Sequence, residues 1–279
     1  MSDARPSPIA GTWYPGAVDS LSRSVDAHIE TAKVDPIPGK VIAVIVPHAG
    51  HRYSGHIAGH AFRVLQGLKP DVVAVLSPLH HPYPVRVAST GHKAYETPLG
   101  TVPVDQALLS QVEAQLKEHG GITLKRIFND QEHSLEIELP FLQRSLAGAF
   151  RLLPLMLRDQ SEEAARAVAH ALSSVLSGKE TILVGSTDLS HFYPENVARL
   201  LDAEVLKRIE AFDPGGLLEV EEQGKGFACG KGAAAAVLWA AKDLGGDSVK
   251  LLAYGTSGDI TGDRYSVVGY GAAVIYQSQ

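Results

Sequence analysis

The stretch Ile45-Val46-Pro47-His48-Ala49-Gly50 ends an apolar run, residues 41–46, on a glycine turn and leaves a histidine just past its end. The pattern returns at residues 72–76, followed by Ser77-Pro78-Leu79-His80-His81. It returns again at 181–185, which runs into Ser186-Thr187-Asp188-Leu189-Ser190-His191. Short runs rich in Val, Ile and Leu and apolar throughout are the signature of strands buried on both faces. In open α/β sheets the functional crevice lies outside the carboxyl ends of the strands, so three strand ends that each deliver a histidine point to one shared site.

Further strands are expected at 84–88, 150–156, 249–255 and 265–276, the last following Gly262-Asp263 and pairing antiparallel at an edge. Helices are expected at 55–66, 105–118, 135–146, 161–176, 196–211, 214–221 and 231–244. Ser161 before Glu162 and Glu163 reads as a helix N-cap with acid in the first turn, and Asp105 has a similar place. Strands alternating with helices imply β-α-β crossovers and a layered α/β sheet with helices on both faces. No low-complexity or linker segment divides the chain, which predicts one domain over residues 1–279.

A net charge of −6 with scattered Lys and Arg argues against nucleic-acid binding. No apolar run approaches the roughly 18 residues of a membrane helix. Met1-Ser2-Asp3-Ala4-Arg5-Pro6 lacks the apolar core of a signal peptide, and the one cysteine forms no internal disulfide, so a reducing, cytoplasmic setting is expected.

The chemistry lies in how the 12 histidines and Cys229 are placed. Most histidines in any protein are surface or satisfied core residues, and His28, His92, His119 and His170 are read that way. His56 and His60, one helical turn apart, are read as packing or surface. His48, His80 or His81, and His191 converge. In an extended chain only one of His80 and His81 can point into a given pocket, and the residues alone leave open which. Asp188, three residues before His191, could orient that imidazole as an acceptor or serve as a carboxylate at a metal. In the loop Asp130-Gln131-Glu132-His133-Ser134-Leu135-Glu136, His133 and Glu136 are spaced to share a helix face. Cys229, in Phe227-Ala228-Cys229-Gly230-Lys231-Gly232, would open a helix beside Lys231, a setting that lowers a thiol pKa. Its bland alternative is a small buried apolar residue.

Motifs along nearly the whole chain resemble those of the Memo family, whose prokaryotic members belong to a system with a radical-SAM protein. They are Ala10-Gly11-Thr12-Trp13-Tyr14-Pro15, Pro47-His48-Ala49-Gly50, Ser77-Pro78 with His80-His81, and Tyr95 with Thr97-Pro98-Leu99. They continue with Glu132-His133-Ser134-Leu135-Glu136, Leu139-Pro140-Phe141, Ser186-Thr187-Asp188 with His191, Cys229-Gly230, and Ser266-Val267 with Tyr270. The resemblance implies a fold like the catalytic subunit of class III extradiol dioxygenases. It also implies metal ligands His48, His80 and Cys229, with Asp188 and His191 in the same pocket and His191 as acid/base. His51 stands where animal members often carry an aromatic, and a nearby imidazole of this kind could line the pocket or add a ligand.

A thiolate with two imidazoles suits zinc, copper or iron and suits Mg or Ca poorly, and the resemblance implies iron(II) or copper, with zinc behind them. The first reading is thus a metal-dependent, oxidoreductase-like protein in which His191, held by Asp188, moves a proton while His133, Glu136, His81 and His51 contact a small-molecule or peptide ligand. Two others stand beside it: a catalytically idle peptide- or phosphopeptide-binding module, and a hydrolase using zinc-activated water. Cysteine in place of a carboxylate ligand predicts no efficient catechol cleavage.

Overall fold

The computed structural model describes residues 3–279, so Met1 and Ser2, read above as part of a start without a signal peptide, lie outside the described residues. The chain runs β1 (Ala4–Arg5), α1 (Val18–Thr31), β2 (Gly39–Val46), α2 (His51–Val64), β3 (Val72–Pro78), β4 (Val87–Thr90), β5 (Ala94–Thr97), β6 (Gly100–Pro103), α3 (Gln106–Gly120) and β7 (Leu124–Ile127). A 3-10 turn, Glu136–Glu138, leads into α4 (Leu139–Ser145), β8 (Arg151–Leu157), α5 (Glu162–Leu176), β9 (Thr181–Ser186), β10 (His191–Tyr193) and α6 (Glu195–Glu210). The chain then continues through α7 (Pro214–Glu222), α8 (Lys231–Asp243), β11 (Ser248–Thr256), α9 (Gly258–Thr261) and β12 (Val267–Ser278).

The large sheet has the order β10-β12-β2-β9-β3-β8-β4-β7, with β11 also on β12, and a small sheet joins β1, β5 and β6. Its centre, β2-β9-β3-β8, is parallel. Every residue of β3 is buried, which is why the strand reads as an unbroken apolar block. Helix α8 lies on β2, β3 and β9 with α5 packed behind it, while α2 lies on β2, β11 and β12 with α1 behind. This is the layered α/β sheet with helices on both faces that the alternation of elements predicts.

Strand order matters most for function. β2, β9 and β3 are neighbours, with Val46 opposite Ser186 and Leu76 opposite Gly185. Adjacent strands lie about 4.8 Å apart, so the segments that leave them, bearing His48, Asp188 and His80, emerge side by side.

Several expectations need correction. β12 is antiparallel as expected, yet it is no edge strand: β2 flanks it on one side, and β10 and β11 pair with it as well. The strand expected at 84–88 forms later, at Val87–Thr90, because Pro84 lacks an amide hydrogen for the ladder. The helix expected from 55 begins at His51. Residues 135–146 are split into the 3-10 turn and α4, with Pro140 in the first turn of α4, where its missing N–H is tolerated. Helix α1 was not foreseen. It buries only Leu21, Val25 and Ile29, a stripe four residues apart in an otherwise polar segment.

Candidate metal centre

His48 lies two residues past β2 and is buried, and its backbone is held by the neighbouring strand end. The Asp188 carboxylate accepts the amide hydrogens of His48 at 2.7 Å and Ala49 at 3.3 Å. The Thr187 amide donates to Val46 O at 2.8 Å. Cys229 reaches the same place by docking its turn onto this segment. The Cys229 amide donates to Asp188 O at 3.2 Å, and the Gly230 amide donates to Thr187 Oγ1 at 2.9 Å. A side chain at Gly230 would collide with Ser186 O and Thr187, so the glycine permits the approach. Cys229 Sγ comes to 3.1 Å from His48 Nε2.

His80, past β3, is fixed by Glu132. One carboxylate oxygen accepts the His80 amide at 2.5 Å and the other faces His80 Nδ1 at 2.9 Å. A carboxylate only accepts, so Nδ1 carries the hydrogen and Nε2 is left as a lone pair. Ligand atoms of His48, His80 and Cys229 all lie within 4.8 Å of one another. Bonds of about 2.0–2.3 Å to one ion place such donors about 3–4 Å apart, so the donor set fits a transition metal. Each imidazole also has its second nitrogen engaged, as metal-bound histidines do.

Burial dominates the electrostatics. It holds His48 well below its usual imidazole range, and the charges of His133 and His80 push the same way. It raises the Cys229 thiol far above its ordinary value, helped by the Asp188 charge. The expected lowering by Lys231 is therefore corrected: Lys231 Nζ pairs with Glu221 at 3.4 Å instead. Burial also lifts Asp188 to about 7 against the two amide bonds it accepts. For Glu132 burial acts upward but loses to the hydrogen bond and charge of His80, which with His133 and the Ser134 amide hold it below the usual carboxylate range.

The other expected site residues divide. His133 belongs to the cluster: its ring stacks on His80 at 4.9 Å and meets His48 edge-on at 5.5 Å, with Trp13 over it at 4.0 Å. Burial brings it down to about 4. His81 is half-buried, and its charge disfavours protonation of His133, but it is not among the grouped donors. His191 packs edge-on against Phe192 and Phe227. Burial lowers its pKa, and the His80 charge adds to this.

Three expectations fail on geometry. Asp188 does not orient His191, because its carboxylate serves the His48 turn. His51 is no pocket wall: its Nε2 lies 3.1 Å from Ile137 O, and its ring sits among Tyr14 and Phe141 in the core. Glu136 shares no helix face with His133. It is fully buried against Arg5, at 2.5 Å, and takes hydrogen bonds from Ser7 and from Tyr14, the latter at 2.7 Å.

Residues not singled out from sequence are Glu132, Ser186 and Trp13. Glu132 had a visible signal, an acid beside His133 in a polar loop. A cavity of about 840 Å3 lies elsewhere, at the amino ends of β3, β8 and β9 beside Asp71, Arg151 and Glu180. Convergence of donors, not cavity size, marks the site. No helix among the described residues is long and apolar enough to cross a membrane.

The family model described as Memo-like protein matches residues 5–274. A MEMO1 family protein of Methanothermobacter thermautotrophicus is 38% identical over 272 residues, covering 94% of this chain and 96% of its own. One from Nitrosopumilus maritimus is 34% identical over 269 residues, covering 95% and 96%. A solved structure of an uncharacterized protein from Escherichia coli K12 superposes with a TM-score of 0.50 at 15% identity, over 83% of this chain and 99% of that one, a likeness of fold alone. A match along nearly the whole chain, with the motif histidines and cysteine drawn into one cluster, shows that the chain belongs to the Memo-like protein family.

Proposed function

We propose that the chain is one Memo-like domain over residues 1–279 that holds iron(II) or copper on His48, His80 and Cys229 and carries out oxidoreductase-like chemistry on a small-molecule or peptide ligand. The observation that carries this reading is the grouping of one sulfur and two imidazoles within 4.8 Å. Such an ion would supply a redox-active Lewis acid with open positions.

The remaining steps belong to the chain. Glu132 and Ser186 aim the two imidazoles. Neutral His191 and His133 flank the cluster and are available to take a proton from a bound ligand. Trp13, 37% exposed and tilted over His133, offers the ligand an aromatic face.

The test is the metal content of protein purified without oxygen, wild type beside Cys229→Ser and His48→Ala. Near one iron or copper per chain, lost in both variants, is expected, followed by oxygen consumption with candidate ligands. Stoichiometric zinc would turn the reading to a hydrolase. Folded protein that takes up no metal would leave a binding module, for which the exposed Trp13 and the 73% exposed Phe192 would form the contact surface.

A further inference from the structure

We propose that Ser186, held by an un-ionised Glu138, is the positioning residue that places the hydrogen of His48 on Nδ1 and so turns the Nε2 lone pair towards Cys229. The consequence for metal rests on the reading above; the geometry does not.

Ser186 Oγ has three polar neighbours: Ser134 O at 2.7 Å, His48 Nδ1 at 2.8 Å and Glu138 Oε1 at 3.1 Å. A hydroxyl has one hydrogen and two lone pairs. The Ser134 carbonyl can only accept, so it takes the hydrogen at the shortest of the three distances. The other two partners must then both donate, His48 as Nδ1–H and Glu138 as a carboxylic acid. One hydrogen and two lone pairs meet three partners with nothing left over.

The alternative, an ionised Glu138 taking the Ser186 hydrogen, orphans the Ser134 carbonyl and leaves an unpaired charge where Glu138 is 1% exposed. Burial acts most strongly against ionisation of Glu138, a hydrogen bond donated by Ser186 would act the other way, and the nearby Asp188 charge adds to burial. Glu138 ends the 3-10 turn that follows Ser134. A single segment, residues 132–138, therefore governs both imidazoles, His80 through Glu132 and His48 through Ser186.

The experiment uses metal-free full-length protein labelled with 15N-histidine, together with titration by Co(II), whose thiolate absorption reports binding. Wild type should show His48 as the Nδ1–H tautomer. It should also show an infrared band of an un-ionised carboxylic acid at neutral pH that is absent from Glu138→Gln. That variant, whose amide still donates, and Ser186→Thr, which keeps the hydroxyl, should retain the tautomer and bind Co(II) within about threefold of wild type. Ser186→Ala should lose the tautomer preference and weaken Co(II) binding by about 10–100-fold, the usual range for a residue behind a metal ligand.

An Nε2–H tautomer in wild type, no infrared difference at Glu138, or an unchanged tautomer in Ser186→Ala would each overturn the inference. Should Ser186→Ala not fold, the wild-type tautomer, the infrared difference and Ser186→Thr still decide it. Wild type that binds no Co(II) would sink the metal reading while the tautomer and infrared results stand on their own.

Discussion

The imidazoles of His80 and His133 lie stacked, 4.9 Å apart at 16°, and the Nδ1 atoms of both face one oxygen of Glu132, at 2.9 and 3.3 Å. One carboxylate thus fixes the tautomer of a candidate ligand by a hydrogen bond and lies beside the ring of its neighbour. It also accepts the amides of His133 and Ser134, each at 3.0 Å. Glu132→Gln keeps the size but sets an NH2 donor against groups that are themselves donors. The expected result is Co(II) binding weakened about 10–100-fold in a folded protein. Binding equal to wild type would show that His80 needs no carboxylate behind it.

The parallel centre of the fold is legible because burial on both faces leaves no alternation, only blocks of Val, Ile and Leu ending in histidine. His48 and one of the His80-His81 pair are legible for the same reason, since they follow neighbouring strand ends, whereas the choice of His80 and the part of Cys229 come from the family resemblance. Asp188 shows where local reading stops. Its nearest histidine in sequence is His191, but its carboxylate serves the amide of His48, 140 residues away. Tertiary pairing of strand ends outweighs chain proximity there. Glu136 fails similarly, because Arg5, 131 residues earlier in the chain, claims it. Nothing in the local pattern around Pro6 suggests that the preceding arginine is buried.

Arg5 supports the site from behind. Its guanidinium meets both Asp130 oxygens, at 2.8 and 2.9 Å, and also Glu136 Oε2 and the Glu132 carbonyl, the last at 2.7 Å, with 0% of the residue exposed. Arg5→Met would strand two buried carboxylates and leave carbonyls unpaired. Breaking such a pair from one side costs about 3–5 kcal/mol. Urea unfolding should show a loss of that order, and a loss below about 1 kcal/mol would mean the loop repacks without the cation.

His51 predicts a pH dependence. Burial brings its pKa to about 4 from 6.5. Between those values the unfolded chain binds a proton that the folded one does not, so stability falls as pH drops from about 6.5 to about 4 and is unaffected above. The full effect of this group is about 3 kcal/mol. Gln in its place keeps a donor for the Ile137 carbonyl and does not titrate. The measurement is the urea midpoint of metal-free wild type and His51→Gln across pH 4–8, and the variant should show the shallower acid slope. Parallel curves would place the titration elsewhere.

Asp202 on α6 is wholly buried and holds the backbone just ahead of His191. Its Oδ1 accepts the Ser190 amide at 2.8 Å and its Oδ2 the Tyr254 hydroxyl at 2.7 Å. Ser190 in turn is tied to β12, where the Gly269 amide donates to Ser190 O at 2.9 Å and Gly269 O accepts the Leu189 amide at 2.9 Å. A side chain at Gly269 would run into the Asp202 carboxylate. Asp202→Ala should lose about 1–3 kcal/mol by stranding buried donors, and Gly269→Ala should be destabilising through strain against that carboxylate. Asp202→Asn, which can still accept from Ser190, should lose less. In metal-free protein the His191 ring resonances should move in Asp202→Ala and in Gly269→Ala, and return towards wild type in Asp202→Asn. Unmoved His191 signals in an Asp202→Ala protein that has lost the expected stability would show that the clamp supports the fold and not the histidine beside it.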